Sequence, residues 1–147
     1  MGVELGKCAL ALAATWMCSA ALAQQGLDLG KLEYDSSCAS CHGLSGKGDG
    51  PVARHMAKAP TDLTTLTRRY GGAFPTQYVW EIIDGRTTAD IGPHGSREMP
   101  VWGSEYRSRA LQMQRSAPEW EYAAPPEWYV RGRIVALIDY MARIQAK

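Results

Sequence analysis

The stretch Cys38-Ala39-Ser40-Cys41-His42 decides how this chain is read. Residues three positions apart share one face of a helical turn, so the two thiols point the same way. A C-x-x-C pair alone fits zinc, a redox disulfide or chance. The adjoining histidine turns it into C-x-x-C-H, the attachment pattern of a c-type haem. Two thiols at this spacing can add across the two vinyl groups of one porphyrin, which aims the neighbouring imidazole at the iron.

Upstream, the chain reads as an exported precursor. Lys7 supplies a positive start, Cys8 to Met17 is apolar, and Ala21-Leu22-Ala23 is a small-x-small cleavage pattern. Residues 1–23 are therefore expected to be a signal peptide, with a mature chain from Gln24. The apolar run from Cys8 to Ala23 is short for a span of about 20 residues, so a retained anchor is the weaker alternative. Cleavage also removes Cys8 and Cys18, leaving only the two motif cysteines and no disulfide. A periplasmic location follows as an expectation, and an oxidising compartment is consistent with it. A thioredoxin-like dithiol would need a βαβ pattern that is not found here.

The 124 residues from Gln24 to Lys147 suit one small domain. Net charge is +1, too small to point to nucleic acid or a membrane surface. Strand-like alternation is nearly absent, and Gly and Pro are frequent between Leu44 and Gly103. The expected fold class is all-α, helices and long loops wrapped around one covalently held cofactor.

Individual elements follow from local pattern. Leu29 to Cys41 reads as a helix capped by Asp28, with Leu29, Leu32, Tyr34 and Cys38 on its buried side. Gly43 to Gly50 is loop, Pro51 to Ala59 a helical turn, and a segment capped by Thr61 or Asp62 runs to the break at Tyr70-Gly71-Gly72. Thr76 to Asp84 is a helix capped by Thr76 and closed by Gly85. Arg86 to Gly103 reads as loop. From Pro126 to Gln145, Val130, Ile134, Leu137, Ile138, Met141 and Ile144 recur at helical spacing.

His42 is the expected first axial ligand. Met99 is the expected second, in a loop long enough to reach the other haem face, with Pro100 biasing it away from helix. A thioether is neutral and soft and favours Fe(II) relative to a second histidine. Met56, Met113 and Met141 are rivals, as are His55 and His94. A ligand histidine usually donates its other ring N–H to a carbonyl. The carbonyl of Pro51, nine residues after His42, is the expected acceptor.

These features together resemble the class I bacterial cytochromes c. The resemblance rests on C-x-x-C-H, Met99-Pro100, Gly30 and Tyr34 before the motif, and Leu137 and Tyr140 in the last helix. It implies that the last four residues form a contact between the terminal helices, with the glycine admitting close approach. It also supports Cys38 and Cys41 as covalent haem c attachments, His42 and Met99 as the metal ligands, and Gly50-Pro51 as the imidazole's acceptor turn. Residues 24–147 would be the cytochrome c domain, with about 104–125 an insert that is long for a minimal member. From Tyr106 to Lys147 there are seven basic and four acidic residues. Arg and aromatics are enriched at interfaces, so the insert either meets a redox partner or packs on its own domain.

The function expected is a periplasmic single-haem electron carrier, not an enzyme, passing electrons between redox protein partners such as a dehydrogenase, an oxidase or another cytochrome. It would be a monomer or a subunit of a complex, without nucleic acid and without a membrane span after cleavage. The alternative is a tightly bound electron-transfer subunit of a periplasmic dehydrogenase or oxidase. A gas sensor or peroxidase needs an open sixth position. For acid–base work it has only the sequence neighbours Asp90, His94 and Arg97.

Overall fold

A computed structural model describes residues 26–86, 99–117 and 125–146. The expected signal peptide therefore lies outside the described residues, as do Asp90, His94 and Arg97. All regular structure among the described residues is helical. Helix α1 is Leu29–Ser37, α2 is Ala39–His42, α3 is Leu66–Arg69, α4 is Thr76–Asp84, α5 is Trp102–Ser116 and α6 is Pro126–Arg143, with single 3-10 turns at Ala53–His55 and Leu63–Thr65. Helix α6 is the spine, packing against α1, α4 and α5. Val130, Ile134 and Leu137 along it are fully buried, each contributing about 1.5–3 kcal/mol of transfer free energy.

The crossing of α1 over α6 depends on Gly30. A Cβ there would lie 2.2 Å from the Ala136 carbonyl oxygen and 2.8 Å from the Tyr140 Cβ. With no side chain in the way, Tyr34 and Tyr140 meet with ring centroids 5.0 Å apart. The Tyr34 hydroxyl donates to the Gly43 carbonyl at 2.7 Å, tying the crossing to the residue after His42.

The face that α1 buries differs from the one expected. Gly30, Glu33 and Tyr34 are inside, while Leu29 and Leu32 are 56% and 50% exposed. The reason is geometric: close approach can occur only along the stripe containing Gly30, which rotates the two leucines toward solvent. The expected helix over 29–41 is also two helices, offset at Cys38. Thr76 begins α4 but makes no side-chain cap; the preceding Pro75 supplies the first accepting carbonyl, to Val79 N–H at 3.0 Å.

Asp28 caps α1 as expected, accepting from the Lys31 N–H at 2.9 Å, and it also accepts from Arg143 at 2.9 Å. The Lys31 N–H is the main cause holding its carboxyl below the usual 3.8. A depressed native pKa stabilises the fold above the unfolded-state value and stops doing so as pH falls through the native one. Asp28→Asn should therefore lower the thermal midpoint at pH 7, and the gap to the parent should close below about pH 4. Parallel melts across that range check it; a gap that persists at low pH would show that Asp28 acts without its charge.

The segment read as an insert is largely helix α5, packed on α6 of its own domain. Tyr106 and Ala110 are its buried residues beyond Gly103. Arg107 pairs with Glu127 at the start of α6, and Arg109 pairs with Glu105 at 2.9 Å. Arg86 joins the same group, bridging Asp84 at 2.8 Å and Glu127 at 3.2 Å. These arginines are used within the domain. Trp120 and Tyr122 lie outside the described residues.

Candidate haem site

Helix α2 is a single turn, and its carbonyls are covered by the chain that follows. Val52 N–H donates to Ser40 at 3.0 Å, Gly50 N–H to Cys41 at 3.1 Å and Gly48 N–H to His42 at 2.8 Å. The loop over residues 43–52 thus satisfies acceptors that a helix end leaves open. It lies so flat on the turn that a Cβ on Gly50 would sit 2.4 Å from the Ser40 carbonyl oxygen. The i, i+3 and i, i+4 spacing then places Cys38, Cys41 and His42 on one side, with the His42 N–H returning to the Cys38 carbonyl at 2.9 Å.

That side opens into a cleft of about 300 Å³. Cys38, Cys41 and His42 of the motif line it together with Met99, and Met56, Pro60, Thr61 and Trp102 are among the walls. A smaller apolar hollow continues behind Cys38, His42 and Met99, between Leu66, Val79, Ile83 and Met141. Two thiols, an imidazole and a thioether therefore face one largely apolar space. This is the donor set that a covalently attached, axially ligated haem needs, so the residues present fit that group.

His42 is buried, and burial, its main cause, lowers the imidazole pKa below 6.5, opposed by a hydrogen bond. The partner of that bond corrects an expectation: Nδ1 lies 3.0 Å from the Thr61 carbonyl oxygen, not at Pro51. Pro51 is exposed, and the Gly50-Pro51 turn is occupied capping the carbonyls of α2. The chain reaches the imidazole nineteen residues later, in Pro60-Thr61-Asp62. There Asp62 caps the 3-10 turn by accepting from Thr64 N–H at 2.8 Å, and Leu63 N–H donates to Gly46 at 2.7 Å. A carbonyl can only accept, so Nδ1 carries the proton and Nε2 keeps its lone pair.

Among the rivals to Met99, Met56 shares the cleft, Met141 lines the hollow behind it, and Met113 is 49% exposed on α5. His55 is exposed and bonded to Arg54. His94 lies outside the described residues.

One neighbour was not foreseen. Glu33, on the buried face of α1, is 3% exposed and accepts from Ser37 Oγ at 2.8 Å, Tyr106 Oη at 2.9 Å and Arg133 at 2.5 Å. Its charge also helps raise the Cys38 thiol to about 12, after the larger effect of burial. Nothing in the local sequence marks this residue, because the apolar spacing of Leu29 and Leu32 points to a different buried face.

No curated protein and no solved structure matches the chain. One family model does: cytochrome c oxidase, cbb3-type, subunit III, over residues 25–113. The match includes the motif, Thr61 and Met99 and ends within α5, so α6 lies beyond it. With a helical fold, a cleft bearing these donors and a match over more than half its length, the chain belongs to that family of c-type cytochrome domains, whose cofactor is covalently bound haem c.

Proposed function

We propose that this chain is a single-haem electron carrier working in the periplasm, with Cys38 and Cys41 as the covalent attachments and His42 and Met99 as axial ligands. The observation that carries the reading is the convergence of those four side chains on one cleft. Haem bound there supplies a reversible Fe(III)/Fe(II) couple, and no substrate bond is made or broken.

The chain's own residues do the rest. Thr61 holds the His42 ring in one tautomer and one orientation, and burial keeps it neutral, so the Nε2 lone pair is available. Met99 and Trp102 line the same cleft. Leu66, Val79, Ile83 and Met141 keep water from the space behind. A ligand set that stays in place in both oxidation states needs little rearrangement during transfer. Ser40, beside Cys41 in the cleft lining, is exposed, and a docked partner could come close there.

The description of the matching family supports a second reading, in which the carrier is a bound subunit of an oxidase. No described helix is long and apolar enough to cross a membrane, so attachment would run through protein contacts or through residues 1–25. Co-purification of an oxidase with the chain from solubilised membranes would favour the subunit; recovery of the chain alone in the periplasmic fraction would favour the shuttle.

The test of the site is the visible spectrum of the reduced haem protein before and after carbon monoxide. An unchanged spectrum is expected from a closed six-coordinate iron. A haem–CO spectrum would overturn Met99 as ligand and move gas sensing or peroxide chemistry forward.

A further inference from the structure

We propose that Glu33 sets the haem's midpoint potential, holding it below the value an uncharged residue in its place would give. The inference rests on haem being bound in the cleft as described above. Glu33 occupies a buried position on α1, and its carboxyl accepts hydrogen bonds on both oxygens. One arginine and two hydroxyls converge on it, the donor set of a carboxylate ion.

Its position places that charge against the cleft. Ser37, which donates to Glu33, is itself a cleft wall. Tyr106, the second hydroxyl donor, packs on Trp102 at 5.8 Å between centroids, and Trp102 is another wall. The carboxylate is thus one hydrogen bond behind the lining. Burial first, and the Glu33 charge second, push the free Cys38 thiol up, in keeping with a charge placed this close to the attachment residue.

The neighbouring positive charges do not cancel it. Arg133 and Arg109 have side chains 37% and 42% exposed, against 3% for Glu33, and Arg109 is the more distant at 3.9 Å and shared with Glu105. Water screens the two guanidinium groups from one side, while the carboxylate is buried behind Ser37, a wall of the cleft. The remaining inward field is negative. It stabilises the ferric state, which carries one more positive charge, over the ferrous state. Glu33 is in this sense a tuning residue and touches neither ligand.

The experiment is redox titration of the intact haem protein against Glu33→Gln and Arg133→Met. The expected result is a midpoint raised in Glu33→Gln and not raised in Arg133→Met, with the reduced-state spectrum unchanged in both. General loosening would admit water and lower both midpoints. A midpoint in Glu33→Gln that is unchanged or lowered would overturn the proposal. Should Glu33→Gln fail to hold haem, Glu33→Leu/Arg133→Met leaves no unpaired charge behind, and such apolar replacements of buried pairs are generally tolerated. The double variant should then lie above Arg133→Met alone, and equality or a lower value would equally overturn the proposal. Carbon monoxide binding to the parent would count against the Met99 reading, but the comparison of potentials needs only bound haem and would still decide the role of Glu33.

Discussion

Met99→Ala is expected to convert a reduced protein indifferent to carbon monoxide into one that binds it stoichiometrically, with a lower midpoint potential. Met99 shares the cleft with His42, and the two line both the cleft and the smaller apolar hollow. Truncation to a methyl group removes the only donor atom of that side chain and leaves room for a diatomic ligand. Met99→His should stay closed to carbon monoxide and fall further in potential, because an imidazole favours Fe(III) relative to a thioether. The pair separates ligation from packing: a spectrum of Met99→Ala that remains insensitive to carbon monoxide would transfer the ligand role to Met56, the other methionine in the cleft.

Gly30→Val should damage the fold severely. Even the first carbon of a side chain would lie 2.2 Å from a backbone carbonyl oxygen, far inside contact distance. The obstruction belongs to α6, which cannot move aside without disturbing Ile134, Leu137 and Tyr140. Overpacking typically costs about 1–3 kcal/mol and sometimes more. The upper end is expected here, a large share of a domain stability of about 5–15 kcal/mol. Denaturant melts of the haem protein give the number; a loss under about 1 kcal/mol would mean that the helices separate easily and that Gly30 is not the determinant of their crossing.

The helical turn of the motif, the presence of α1 and the buried face of the last helix were legible in the sequence because each is a local pattern. C-x-x-C-H needs only one helical turn to work, and the spacing of Val130, Ile134, Leu137 and Met141 states its own buried face. What was not legible depends on how segments meet. The face of α1 turns on a glycine contact with a helix more than a hundred residues away, which no apolar count within α1 can reveal. Thr61 was hidden for the same reason: Gly50-Pro51 and Pro60-Thr61 offer similar local chemistry, and only the capping of α2 by the nearer turn leaves the imidazole to the farther one. Helix α5, which takes up most of the expected insert, shows no clear apolar stripe in the sequence, because its buried face consists of Gly103, Tyr106 and Ala110 among many polar residues. Glu33 lies furthest from sequence reasoning, since its partners come from α1, α5 and α6 at once.

The bond between Asp28, at the start of α1, and Arg143, in the last turn of α6, has an architectural consequence. The start of α1 and the last turn of α6 are side by side. Segments joined to these two helix ends would leave the described helices from one place, like two threads through the same hole of a bead. A tether fused at either end would therefore hold the domain from the same point and present the cleft in the same way.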